Sequence, residues 1–210
     1  MDIYTLTRDK NNVCTACSEE AAELFGETVE NMIGTIGFKN AQNGYSEQSV
    51  NECALARENG THVSTQFVYV GDHWRIMALH RGSPDGETVH MSAFDMTPQV
   101  DPQGVLKHVD QKTRTIYFPN IGMTISETDF IILNRHLRGW KQARIAKEIN
   151  RSKKTVEHWL SVFNERSQTF YPGLSLLEAF RKGGTLWVMV TRDTWFLERR
   201  KEPRARTRKK

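Results

Sequence analysis

The chain has 210 residues with 38% apolar composition, enough to bury one sizeable core or two small ones. Its net charge of +4 conceals an uneven split: residues 1–109 carry 7 Lys+Arg against 15 Asp+Glu and residues 110–210 carry 22 against 10, so −8 is followed by +12. Its apolar runs fall short of about 18 residues, and Asp2, Arg8 and Asp9 stand near the start, which excludes a membrane span and a secretory signal and predicts a cytoplasmic protein.

In the acidic half, DIYTLT and NNVCTA read as strands around a polar turn at Arg8 to Asn11. SEEAAELFG follows as a helix, with Ser18 as its cap, Glu19 and Glu20 at the positive end of its dipole, and Gly26 at its exit. After the polar segment Asn40 to Gln48, SVNECALARENG reads as a second helix ending at Gly60. HVSTQFVYV, HWRIMALHR and TVHMSAFDM are then three strands, separated by Gly71-Asp72 and by the turn Gly82 to Gly86. The order predicts an α+β unit: an antiparallel sheet with helices on one side. Cys14, Cys17 and Cys53 are an odd number in a chain too long to need disulfides. CTAC matches C-x-x-C, so a redox or cofactor sensor using Cys14 and Cys17 is the alternative reading. Three partly buried thiols are the simpler account, and neither a bound metal nor a cofactor is expected.

The hairpin, the S-x-x-A-A-x-L-F-G helix, MIGT at Met32 to Thr35 and a last strand closing Asp95-Met96-Thr97 together resemble a PAS sensor domain over residues 1–100. Period-two alternation puts Met77, Leu79 and Arg81 on one strand face, where a cation at the end of an apolar row suits an oxygen of a small heterocycle. Phe67, Met77, Leu79, Met91 and Ala93 with Arg81 are the predicted ligand-binding set, although aromatics such as Phe67 and Phe94 are more often core.

Residues 101–122 read as a linker with the short apolar patch TIYF. Three helices follow between Ser126 and Arg166. Ser126 and Asp129 form a capping box, Ile125 and Phe130 a hydrophobic staple, and Gly139 ends the first helix after Ile132, Leu133, His136 and Leu137. The second covers Lys141 to Ile149 and buries Ile145, Ala146 and Ile149. A break at Asn150-Arg151 leads to Ser152, cap of a third helix with Val156, Trp159, Leu160 and Phe163 on one face. This is helix-turn-helix spacing, in which the first helix of the pair braces the second in the DNA major groove. The predicted DNA-binding residues are Lys141, Gln142, Ser152, Lys153, Lys154, Thr155, Glu157, His158 and Ser161: cations, hydroxyls and first-turn amides for phosphate, His158 and Ser161 for base edges.

Gly139, Ile145, Ala146, Ile149, Ser152, Thr155 and Val156 match the LuxR-type helix-turn-helix pattern without a gap, and residues 123–197 resemble that all-α family. Trp159 stands where the family has His or Tyr. SLLEAFRKGG is similar to the family's fourth helix, often used in dimerisation, which points to Leu176, Leu177 and Phe180. Residues 198–210 are a basic tail with eight cations against two acids, expected to be disordered. A PAS domain joined to this helix-turn-helix resembles quorum-sensing regulators of vibrios and phages. The resemblance implies a homodimer on double-stranded DNA, activation by a pyrazinone autoinducer such as 3,5-dimethylpyrazin-2-ol, no enzymatic activity, and Arg81 at the position of a ligand-reaching lysine. Leu79 departs from the aromatic found there.

Overall fold

The computed structural model describes residues 3–36 and 45–198. The basic tail beyond Glu198 lies outside them. Strand β1 (Ile3–Arg8) turns into β2 (Cys14–Cys17) through residues 9–13, where the Asp9 carboxylate accepts the Asn11 and Val13 amides and Asn12 adopts φ 63°. Arg8 closes β1, so the turn lies slightly later than predicted.

Helix α1 (Glu19–Leu24) begins at Ser18, whose Oγ accepts the Ala21 amide, and ends before Gly26 at φ 68°. A single turn, α2 (Val29–Met32), is capped by Thr28. Helix α3 (Tyr45–Asn59) starts inside the stretch read as a polar loop, and ends as expected before Gly60. Strands β3 (Thr61–Val70), β4 (His73–Gly82) and β5 (Val89–Asp95) form the meander, and the sheet order is β2-β1-β5-β4-β3, antiparallel throughout. Helix α1 packs on β1, and α3 on β3 and β4. This is the PAS arrangement that the sequence resembles.

Each face of this sheet belongs to a different core. Leu6, Phe25, Val68, Met77, Leu79 and Met91 bury themselves under the helices. On the opposite face Tyr69, Trp74 and Ile76 join a larger core with the second half of the chain. That core takes in the segment read as a linker. After the short helix α4 (Thr97–Val100) come a 3₁₀ turn (Val105–His108) and a three-stranded sheet of β6 (Val109–Asp110), β7 (Thr115–Phe118) and β8 (Met123–Ser126). Val105, Leu106, Ile116, Phe118 and Ile121 are fully buried. At roughly 25 cal/mol per Å² of apolar area, that burial is ample reason for residues 101–122 to fold. The Asp101 carboxylate accepts the Val105 and Leu106 amides at the head of the 3₁₀ turn, and burial raises its pKa.

Helix α5 (Glu127–Leu137) carries the predicted capping box, and Gly139 ends it at φ 82°. Helices α6 (Gln142–Glu148) and α7 (Lys153–Phe170) are the helix-turn-helix pair, α7 running four residues past the predicted end. Helix α8 (Leu176–Lys182) opens on a second capping box at Ser175 and Glu178. An unanticipated α9 (Leu186–Val190) leads to Trp195, which has no exposed surface. Leu176 and Phe180 turn into this core and are not available as a dimer face, whereas Leu177 is 39% exposed.

Candidate DNA interface and ligand cavity

The α6–α7 pair is built from inside outward. Ile145 and Ala146 of α6 and Val156, Leu160 and Phe163 of α7 are buried, fixing how the second helix crosses the first. Between them Asn150 takes φ 52°, a left-handed residue that reverses the chain. Ser152 then caps α7, its Oγ accepting the Thr155 amide at 3.1 Å. The predicted DNA-binding residues come together on the opposite side. Lys141, Ser152, Lys153, Lys154, Glu157, His158 and Ser161 are exposed, with Gln142 and Thr155 half-buried. Trp159 is half-buried and stacks on Phe163, so it serves packing.

Charge on this side is predominantly positive. Glu157 pairs with Lys153 at 2.9 Å, and Glu148 is drawn away by Arg135 at 2.8 Å. Among the described residues Lys141, Lys147, Arg151 and Lys154 keep no acidic partner, while Arg144 lies 3.5 Å over the Trp140 ring. Lys147 and Arg151 add to the predicted set. The first-turn amides of an 18-residue helix complete a surface suited to phosphate.

Under the sheet lies a cavity of about 20 Å³, lined by Leu6, Phe25, Val68, Met77, Leu79, Met91 and Ala93 among others. It has room for roughly one water as it stands. Met77, Leu79, Met91 and Ala93, all predicted ligand contacts, line it. Phe67 does not. It pairs with Ile76 across β3 and β4, whereas Gln66 pairs with Met77, so Phe67 faces the other core and packs 5.5 Å from Trp195 and 5.9 Å from Trp187. The prediction erred by one residue of strand parity; Val68 holds the inward position. Tyr4, Thr5, Leu6, Ala21, Leu24 and Phe25 were missed, because only the pairing of β1 with β5 and the packing of α1 on β1 bring them to Met91 and Ala93.

Arg81 is on the predicted face but is not a lining residue. Wholly buried, it ion-pairs with Glu52 of α3 at 2.6 Å and donates to Ser64 Oγ at 3.1 Å. Burial alone would raise the Glu52 pKa, but hydrogen bonds from Ser64 and Gln66, both at 2.6 Å, and the Arg81 charge hold it below the usual carboxylate range. Among the described residues the buried Arg81 Nε and Nη2 have no hydrogen-bond partner, and neither has the Gln66 side-chain carbonyl oxygen. This polar cluster adjoins the cavity: Leu79 pairs with Ser64 on one side and Ala93 on the other, and Arg81 pairs with Met91.

The thiol pair is poorly suited to redox work. Burial pushes the Cys14 thiol up to about 11 and raises Cys17 as well, so neither forms a thiolate readily near neutral pH. No group of three or more His, Cys, Asp or Glu side chains placed to hold a metal occurs among the described residues. No helix among them is long and apolar enough to cross a membrane.

Sheet order and helix pair together give a PAS-like antiparallel sheet with flanking helices joined to a helix-turn-helix fold. The chain has a VqmA-like fold. A structure of a Vibrio cholerae VqmA–ligand–DNA complex matches 94% of this chain and 88% of its own with a TM-score of 0.59 at 17% identity. A phage VqmA–DPO complex matches 88% and 83% with a TM-score of 0.54, also at 17% identity. No family model matches the sequence, and no curated protein does.

Proposed function

We propose that this chain is a ligand-responsive, DNA-binding transcriptional regulator, acting in the cytoplasm as a homodimer. The observation that carries it is the exposed cationic rim of α6 and α7, Lys147, Arg151, Lys153 and Lys154, set around the uncovered amino end of α7 on a frame packed through the buried Ile145, Ala146, Val156, Leu160 and Phe163. A helix so presented reaches into a major groove, its first turn on phosphates and His158 and Ser161 on base edges. One such unit covers a short half-site, so two copies on a near-palindromic operator supply the specificity. The role is recognition and involves no catalysis.

For the sensor half, the reading is a quorum-sensing receptor for a pyrazinone-type autoinducer such as 3,5-dimethylpyrazin-2-ol, bound without any other cofactor and activating target promoters. Apolar walls at Met77, Leu79, Met91 and Ala93 suit a small methylated ring, and the neighbouring orphaned nitrogens of Arg81 suit its oxygen. The cavity must widen for a ring to enter, which the flexible Met77 and Met91 side chains permit. Gel shifts on labelled duplex DNA, with and without 3,5-dimethylpyrazin-2-ol, test the reading. Binding tightened by the compound supports both halves; no binding to duplex DNA at low salt overturns it.

A further inference from the structure

Residues 191–197, just after α9, run between the outer face of the PAS sheet and the frame of the helix-turn-helix. Two consecutive side chains there reach in different directions. The Arg192 guanidinium sits in an aromatic box, 4.2 Å from the ring centre of Trp74, 5.2 Å from Trp195 and 5.4 Å from Phe67. Asp193 Oδ1 instead accepts Arg135 at 2.7 Å and Arg138 at 2.6 Å, at the end of α5. Arg135 continues to both carboxylate oxygens of Glu148, the last residue of α6. Asn134 ties the same strap down by donating to the Met189 and Arg192 carbonyls. On the sheet side, Trp74 Nε1 donates to the Trp195 carbonyl at 2.5 Å.

Strand β4 joins this seam to the cavity, since Trp74 and Ile76 face the seam while Met77 and Leu79 face the cavity. A close-packed strand cannot be displaced on one face and left in place on the other. Arg192 has no acidic partner among the described residues, and its Nη1 is buried without a hydrogen bond. Arg192 is half-buried, and ring faces rather than an ion pair hold the inner side of its guanidinium, so its position responds to small movements of Trp74.

We propose that Arg192 and Asp193 form the coupler that transmits the state of the PAS cavity, through β4, to the bracing helix α6 and so to the orientation of α7. Arg192 is a positioning residue in this scheme, touching neither DNA nor ligand. The scheme rests on reading the cavity as a ligand site and α7 as the DNA reader. Both of those can be tested separately from it.

Hydrogen exchange on the full chain makes the test. Met77→Ala enlarges the cavity and should speed amide exchange about fivefold in β4 and also in α5 and α6. In an Arg192→Met background, which keeps the bulk in the aromatic box without the guanidinium, the same change should still speed β4 while the effect on α5 and α6 falls below about twofold. Asp193→Asn, which removes the carboxylate charge shared by Arg135 and Arg138, should break transmission equally and serves if Arg192→Met does not fold. Equal acceleration of α6 in the wild-type and coupler-mutant backgrounds, or none when the seam is intact, would overturn the proposal. Failure of the wild-type chain to bind duplex DNA would instead remove the function proposed above and leave the exchange results standing.

Discussion

Lys153 and Glu157, one turn apart on α7, form an ion pair of 2.9 Å at the mouth of the proposed DNA interface. The pair is exposed and contributes little to stability, but Glu157 partly neutralises the cation proposed to meet phosphate. Removing Lys153 by alanine should weaken binding similarly on all duplex sequences and reduce the salt slope by about 0.9. Glu157→Gln should have the opposite effect, tightening non-specific binding by several-fold. Fluorescence anisotropy across a salt series reads both. An unchanged affinity in the Lys153→Ala, Lys154→Ala double variant would mean that another face meets DNA.

Glu52 and Arg81 supply a pH dependence. Because the folded-state Glu52 pKa lies below its ordinary value of 4.5, its contribution is present above pH about 4.5 and is lost as pH falls through the folded value. Glu52→Gln should therefore lower Tm at pH 7 and flatten the fall of Tm on the acid side, seen by calorimetry between neutral pH and about pH 3.5. Arg81→Ala, which strands a buried carboxylate, should cost about 3–5 kcal/mol. A Tm within a degree of wild type for Arg81→Ala would show that the pair is not buried as described.

The cavity predicts a ligand effect separable from folding. At a hundredfold excess over Kd, 3,5-dimethylpyrazin-2-ol should stabilise the wild-type chain by about 2.7 kcal/mol in a thermal-shift series. Ala93→Leu, which fills the cavity from β5, should lose most of that shift. No shift with wild type removes the pyrazinone, and an equal shift in both proteins places the ligand elsewhere.

Gly122 has φ 57°, and a Cβ there would lie 2.6 Å from the Phe170 ring. Gly122→Ala should destabilise by roughly 1–3 kcal/mol through backbone strain and overlap together. Adding Phe170→Ala should recover part of the loss, since it removes the overlap but not the strain. Denaturant midpoints of the single and double variants decide, and no recovery would mean that the overlap contributes nothing.

Much of this protein is legible one segment at a time. Ser18, Ser126 and Ser152 cap helices because a side-chain oxygen three residues before a free amide is local chemistry, and Gly26, Gly60 and Gly139 end them because positive φ is local too. The apolar spacing of Ile145, Val156, Leu160 and Phe163 likewise implied which side of α6 and α7 faces outward, and the cations stand there. What needed the folded chain is everything set by partners far apart in sequence. Strand alternation places Phe67 and Val68 on opposite faces but does not say which face holds the cavity; that is decided by α3 covering one side and Trp195 the other. Arg81 as an unpaired cation and Arg81 as half of a buried ion pair are the same letter in the sequence, and Glu52, 29 positions earlier, decides between them. Residues 101–122 look like a linker because their apolar residues are few and scattered, yet Ile116 and Phe118 are wholly buried. Burial depends on which surfaces meet, and here they meet only when the PAS sheet and the helix-turn-helix close over the same core.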